Sequence, residues 1–190
     1  MNTTAPPLEL HALEKLREEE LEEARAIQSV MRPAESLRAG AVMISHEFQP
    51  VAAVGGDFLD YFQLTDGSVG LYLGDVSGKG LPAALYAALA VGTLRGVHKT
   101  GTSPHDVLAT LNRRLMIRGM PRRNTAIQYA VFNPHSHELQ IDRTANCQRR
   151  HAWAISSLRK RLPQPETLRD PPGLIRLGEL RDADPAIAGR

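Results

Sequence analysis

The 190-residue sequence predicts an α+β fold, a layered domain of antiparallel strands and helices entered through a long amphipathic helix. Three observations carry this expectation. Residues 8–31 repeat apolar side chains at helical spacing, residues 41–76 contain strand-like runs broken by turn pairs, and the strand pattern returns at 125–141 after two further helical stretches.

The first helix is read from Leu10, Leu13, Leu16 and Leu21, followed by Ala24, Ile27 and Met31, with Glu and Arg on the other face and Pro33 ending it. Its apolar seam suits two arrangements equally. It could pack on its own domain, or form a coiled-coil dimer or signalling stalk. From Gly40 the character changes, and residues 41–48 (AVMISHEF) alternate like a strand. The segment GGDFLDYFQL, the turn pair Asp66-Gly67 and the run SVGLYLGDV predict a hairpin. Residues 81–99 read as a helix with Pro82 in its first turn and an Ala/Leu-rich buried face. Ser103-Pro104 opens the next helix, through Val107, Leu108, Leu111 and Leu115, with Ser103 as its N-cap. Residues 125–132 (TAIQYAVF) form a strand, Asn133-Pro134 a turn, and Glu138 to Ile141 the start of the partner strand. Beyond Asp142 the strand pattern collapses.

Composition narrows the function classes. One Cys excludes an intramolecular disulfide framework and a Cys-based zinc cage. The longest apolar stretch, near Leu81 to Val91, is interrupted by Gly80, Pro82 and Gly92 and is too short to span a bilayer, and residues 1–10 lack a secretory pattern. A cytoplasmic chain without a membrane partner is expected. The net charge of +2 hides an asymmetry, because residues 143–190 hold 10 Lys+Arg and 5 Asp+Glu while residues 1–142 hold 13 and 16. A basic arm usually suggests nucleic acid. Here Trp153 is the tail's sole aromatic residue, so it has no stacking platform, and no nucleic-acid partner is expected.

Chemistry concentrates between Gly55 and Gly80. Gly55-Gly56 precede Asp57 and Asp60, and Gly74-Asp75-Val76-Ser77-Gly78 places a third carboxylate at the end of an apolar strand before a Gly-rich loop and a helix. Carboxylates so placed can share a hard cation, with backbone carbonyls completing an oxygen shell and glycines allowing close backbone approach. On residue types alone, the reading in which Asp60 and Asp75 serve a turn and a helix cap is favoured over a metal site. The segment is not a nucleotide-binding loop, because Gly74 precedes Gly78 by only three spacers and Gly80 stands where Ser or Thr would meet magnesium. None of the seven histidines pairs with another His or a Cys at metal-ligand spacing, and no nucleophile-elbow motif is present.

Taken together, residues 49–90 closely resemble the SpoIIE/RsbU-type branch of the PPM (PP2C-like) serine/threonine phosphatases. The helix from Leu21 through Gln28 to Pro33 is similar to the one that leads into that domain from a sensor module, and residues 124–134 (NTAIQYAVFNP) are similar to its next strand and turn. The resemblance covers about Glu20 to Ile141. It implies a PPM-type layered β-sandwich flanked by helices, and two Mn²⁺ or Mg²⁺ ions that activate water for direct attack on phosphoserine or phosphothreonine. By motif, Asp57 and Asp75 would be the catalytic carboxylates, acting through the metal-activated water. Asp57 would ligate one metal and Asp75 would bridge, with the Val76 carbonyl as a further ligand. Gly55, Gly56, Asp60, Gly74, Ser77 and Gly78 would shape the surrounding loops. Ser77 stands where eukaryotic relatives carry a His proposed as general acid. The implied substrate is a phosphorylated anti-sigma-factor antagonist in a partner-switching pathway.

The resemblance then breaks. The family's AGHPPP-like turn, its later G-x-P-L/P-G-L segment and its terminal PGD…YTDG motif do not appear in frame. If residues 148–156 are encoded CAG CGG CGG CAT GCC TGG GCC ATT TCA, reading one base downstream gives Ser-Gly-Gly-Met-Pro-Gly-Pro-Phe, the missing turn. The same displacement across residues 167–175 and 180–190 can restore the later family segments. A frame change near residues 141–147 is therefore expected. It leaves an amphipathic linker or coiled-coil helix at 1–37, a partial phosphatase domain at 38–146, and a poorly folded basic tail at 147–190. Loss of the later strands predicts an unpaired sheet edge, and loss of the later aspartates predicts little activity. A homodimer through residues 8–31 is the alternative role, that of a non-catalytic fragment.

Overall fold

The computed structural model describes residues 7–40, 42–49, 52–117, 124–144, 155–161 and 174–176. Helix α1 (Pro7–Ser29) leads into β1 (Leu37–Ala39) and β2 (Val42–Ser45), then the hairpin of β3 (Phe58–Gln63) and β4 (Val69–Val76). Helices α2 (Gly80–Arg95) and α3 (Pro104–Ile117) follow, and then the hairpin of β5 (Thr125–Asn133) and β6 (Glu138–Thr144). The strands β7 (Ile155–Arg161) and β8 (Leu174–Arg176) come last.

The main sheet has the order β3-β4-β5-β6-β7, with every described neighbour pair antiparallel. A smaller sheet has the order β1-β2-β8, in which β2 and β8 run parallel. The strand pattern thus does not end at Asp142. The ladder of β6 continues to Thr144, β7 pairs along it, and β8 joins β2, so the edge strand of the described main sheet on that side is β7. The proposed frame-change segment around Cys147, and most of the tail, lie outside the described residues.

Alternation along the strands builds a core on each face of the main sheet. On one face Phe58, Tyr72, Val76, Ile127 and Tyr129 meet α2 and α3 through Ala83, Ala87, Ala90, Leu94, Leu108 and Leu111. The alanines let α2 lie close to the sheet. On the other face Leu59, Tyr61, Leu71, Ala130, Phe132 and Leu139 pack against Ala39 and Ile44 of the small sheet. Burying each large apolar side chain contributes roughly 1.5–3 kcal/mol. The result is a helix layer, a five-stranded sheet and a small covering sheet.

Local chemistry sets the turns. Asp66 Oδ1 accepts the Ser68 N–H at 3.0 Å in the β3–β4 turn, and Asn133 Oδ1 accepts the N–H groups of His135 and Ser136 in the β5–β6 turn. Ser103 caps α3, as its hydroxyl accepts the Asp106 N–H at 3.2 Å and donates to the Asp106 carboxylate at 2.7 Å. Strand β1, which has three residues, was not expected from the sequence, and the strand read over 41–48 shortens to Val42–Ser45.

The two halves of helix α1 differ in burial. Leu10, Leu13 and Leu16 remain exposed, so the first half of the helix does not pack on its own domain. Its last turns do, with Gln28 buried and Met31 packed against the core under α2.

Candidate metal centre

The register of the β3–β4 hairpin locates the acidic pair. Phe58 lies opposite Gly74, and the ladder runs past the end of β3, since the Val76 N–H donates to the Gly56 carbonyl at 3.2 Å. Asp57 therefore stands directly across from Asp75. Because Gly56 and Val76 exchange a backbone bond, Asp57 and Asp75 form a non-hydrogen-bonded pair, the type with the closer side chains. In such a pair the two Cβ atoms lie about 4.5–5.5 Å apart on one face of the sheet. Both residues are exposed, at the open end of the face that the small sheet covers lower down.

A Cβ at Gly56 would overlap the Val76 carbonyl oxygen, so only glycine allows this approach. Two carboxylates and a main-chain carbonyl would be hard oxygen donors of the kind that Mn²⁺ or Mg²⁺ takes. Among the described residues no group of three or more His, Cys, Asp or Glu comes together. The donor set for a second ion is thus not found there.

The neighbouring residues divide into those that frame this pair and those that do not. Gly78 has φ +107, a conformation that an L side chain would strain, and it turns the chain from β4 towards α2. Ser77 is tied to the start of β5: its N–H donates to the Asn124 carbonyl at 2.8 Å and its Oγ accepts the Asn124 N–H at 2.9 Å. Gly74 faces the opposite way, under the Phe58 ring, where a Cβ would overlap the ring.

Asp60 is the clear correction. It alternates to the helix-covered face, three residues and one change of side from Asp57. There it is buried, accepts from Tyr72 Oη at 3.2 Å, and pairs with Arg95 at 2.9 Å through Nε and Nη2. It does not border the acidic pair. Burial opposes the charge on Arg95, yet bonding to Asp60 outweighs it and raises the guanidinium pKa above its ordinary value.

Sequence reasoning missed Gln28. Its amide reads both polar groups of one glycine, donating from Nε2 to the Gly55 carbonyl at 2.7 Å and accepting the Gly55 N–H at 3.2 Å on Oε1. Arg95 Nη2 also donates to the Met31 carbonyl at 2.7 Å. The end of α1 is thereby fastened to the residue two before Asp57. The available signal was a single polar residue on the line Leu21, Ala24, Gln28, Met31, which is otherwise the buried face of α1.

The chain is similar to several known proteins. The family described as stage II sporulation protein E (SpoIIE) matches residues 65–185, a span that runs through much of the segment expected to be a non-family tail. Protein IcfG of Synechocystis sp. is 37% identical over 87 residues, which is 46% of this chain and 14% of that protein. The chain thus spans only a small part of the length of that relative. The SiaA-PP2C domain of Pseudomonas aeruginosa superposes with a TM-score of 0.58 at 17% identity, covering 80% of this chain and 70% of that one. The RsbU and RsbW domains of a Mycobacterium tuberculosis protein align with a TM-score of 0.42 at 18% identity, over 62% of this chain and 38% of that one.

Proposed function

Because the chain belongs to the SpoIIE family of PPM-type serine/threonine phosphatases, we propose that it hydrolyses phosphoserine or phosphothreonine on a signalling protein, with Asp57, Asp75 and the Val76 carbonyl holding one Mn²⁺ or Mg²⁺. The observation that carries this reading is the placement of Asp57 opposite Asp75 beside a carbonyl that only a glycine at 56 can approach. A divalent cation held by Asp57 and Asp75 would neutralise phosphoryl oxygens and lower the pKa of water for in-line attack on phosphorus. Water oxygen bonds to phosphorus as the P–O(Ser) bond breaks, and the leaving oxygen takes up a proton. The chain's own contribution is to fix the two carboxylates by strand pairing, before any ligand arrives. Ser77 is engaged with Asn124, so leaving-group protonation is assigned to water rather than to a side chain.

The proposed substrate is a phosphorylated anti-sigma-factor antagonist, as in partner-switching pathways. With donors for one ion, turnover is proposed to be slow. Phosphate release from a phosphoserine peptide tests the reading. Slow, Mn²⁺-dependent release that Asp57→Ala abolishes is expected, and release that ignores both Mn²⁺ and Asp57→Ala would overturn it. Turnover in the ordinary enzymic range of about 1–10³ s⁻¹ would contradict the impairment. A second role rests on the exposed Leu10, Leu13 and Leu16, which supply a seam for a homodimer through residues 8–31 whether or not the site turns over.

A further inference from the structure

Residues 80–94, which form nearly all of α2, contain no charged side chain. One side of the helix packs into the core through Ala83, Ala87, Ala90 and Leu94. Another side carries Leu81, Leu85 and Leu89, one helical turn apart, and these remain exposed. A helix that is apolar all round is ordinarily covered all round. The free half of α1 has a matching deficit in Leu10, Leu13 and Leu16. These six leucines, each 40–61% exposed, are six of the nine large apolar side chains left exposed among the described residues.

A second copy of the chain fits both rows. Within one chain the rows do not meet, since both stay exposed while α1 runs as one helix from Pro7 to its anchor at Gln28. Their spacings are complementary. The α1 leucines follow an i, i+3 ridge and the α2 leucines an i, i+4 ridge, the combination that interdigitates at about +20° in helix bundles. The rows span about 9 and 12 Å. Charge disfavours the simpler pairing of α1 with α1. Helix α1 holds seven Glu against Lys15, Arg17 and Arg25, so two such helices side by side repel, whereas the α2 face carries no charge. A two-fold pair makes the contact twice. Its twelve half-exposed leucines amount to on the order of 1,000 Å², close to the lower bound of the roughly 1,200–2,000 Å² that stable interfaces bury.

We infer that the chain forms a two-fold homodimer in which Leu10, Leu13 and Leu16 of each α1 pack on Leu81, Leu85 and Leu89 of the second copy's α2. The inference rests on the homodimer reading and assigns that dimer its second surface, which is α2 rather than another α1.

Analytical ultracentrifugation of the full chain tests this. The wild type should sediment as a dimer. Leu13→Glu and Leu85→Lys should each weaken dimerisation at least tenfold, and so should the milder Leu85→Ser. Mixing Leu13→Glu with Leu85→Lys should restore a dimer, because the mixed pair keeps one intact contact and sets Glu beside Lys in the other. A wild-type monomer would remove the homodimer and this pairing together. A dimer that Leu13→Glu dissolves but both Leu85 variants leave intact would keep the homodimer and overturn the pairing, and so would a mixture that stays monomeric. Circular dichroism melting of each variant separates loss of contact from loss of fold.

Discussion

Two aspartates three residues apart in one motif have opposite assignments, and strand alternation is the reason. Asp57 faces the open end of the sheet beside Asp75, while Asp60 faces the helices and holds Arg95 and the Tyr72 hydroxyl. Their spacing in sequence is odd, and an odd step along a strand changes the face. Asp60→Asn should therefore destabilise the chain without weakening Mn²⁺ binding. Breaking a buried pair costs about 3–5 kcal/mol, but the Arg95 side chain is 44% exposed. Solvent screening lowers the expected loss to about 1–2 kcal/mol. Urea denaturation measures the first part and calorimetric Mn²⁺ titration the second. A variant as stable as the wild type that has lost Mn²⁺ would reverse the two roles.

The elements that position the site are α1 and the β3–β4 hairpin, fastened together by Gln28 and Gly55. Gln28→Ala removes two hydrogen bonds to a peptide unit that supports Asp57. It should cost about 1–2 kcal/mol and weaken Mn²⁺ binding severalfold, with affinity unchanged as the contrary result of the titration. The free half of α1 carries a different expectation. Leu13→Glu with Leu16→Glu places charges on the exposed seam and should convert a dimer to a monomer in analytical ultracentrifugation, while a wild-type monomer would remove the dimer proposal. The hairpin, both middle helices and the β5–β6 turn were legible in the sequence because each is specified locally, by apolar period and by Asp66, Ser103 and Asn133. The tail strands were not. β7 and β8 are held by pairing with β6 and with β2, more than a hundred residues away for β8, and no local period announces such partners. The Gln28 contact was hidden for the same reason, since it joins residues 27 apart in sequence.

At the scale of the whole molecule, three layers hold a short acidic mouth at one end of the main sheet, and two histidines make the assembly sensitive to acid. His46 lies 3.0 Å from the Tyr61 hydroxyl, which itself donates to the Glu35 carbonyl, so His46 Nδ1 is the donor. His98 stacks on Phe62 at 3.8 Å between ring centroids. Burial lowers both pKa values, reinforced at His46 by Arg32 and opposed at His98 by Asp60. As pH falls through about 6.5 the unfolded chain takes up these protons first, so stability present above that pH is lost below it. The melting temperature should fall between pH 7.5 and 5.5, and less steeply in the double variant His46→Gln, His98→Gln; equal slopes would show that these groups are not responsible. The central claim is that strand pairing sets Asp57 and Asp75 around one divalent cation. Calorimetric titration of Mn²⁺ into the wild type and Asp75→Asn tests it most directly. The account predicts a single saturable site in the wild type that is absent from the variant. Equal Mn²⁺ binding by both proteins would contradict it.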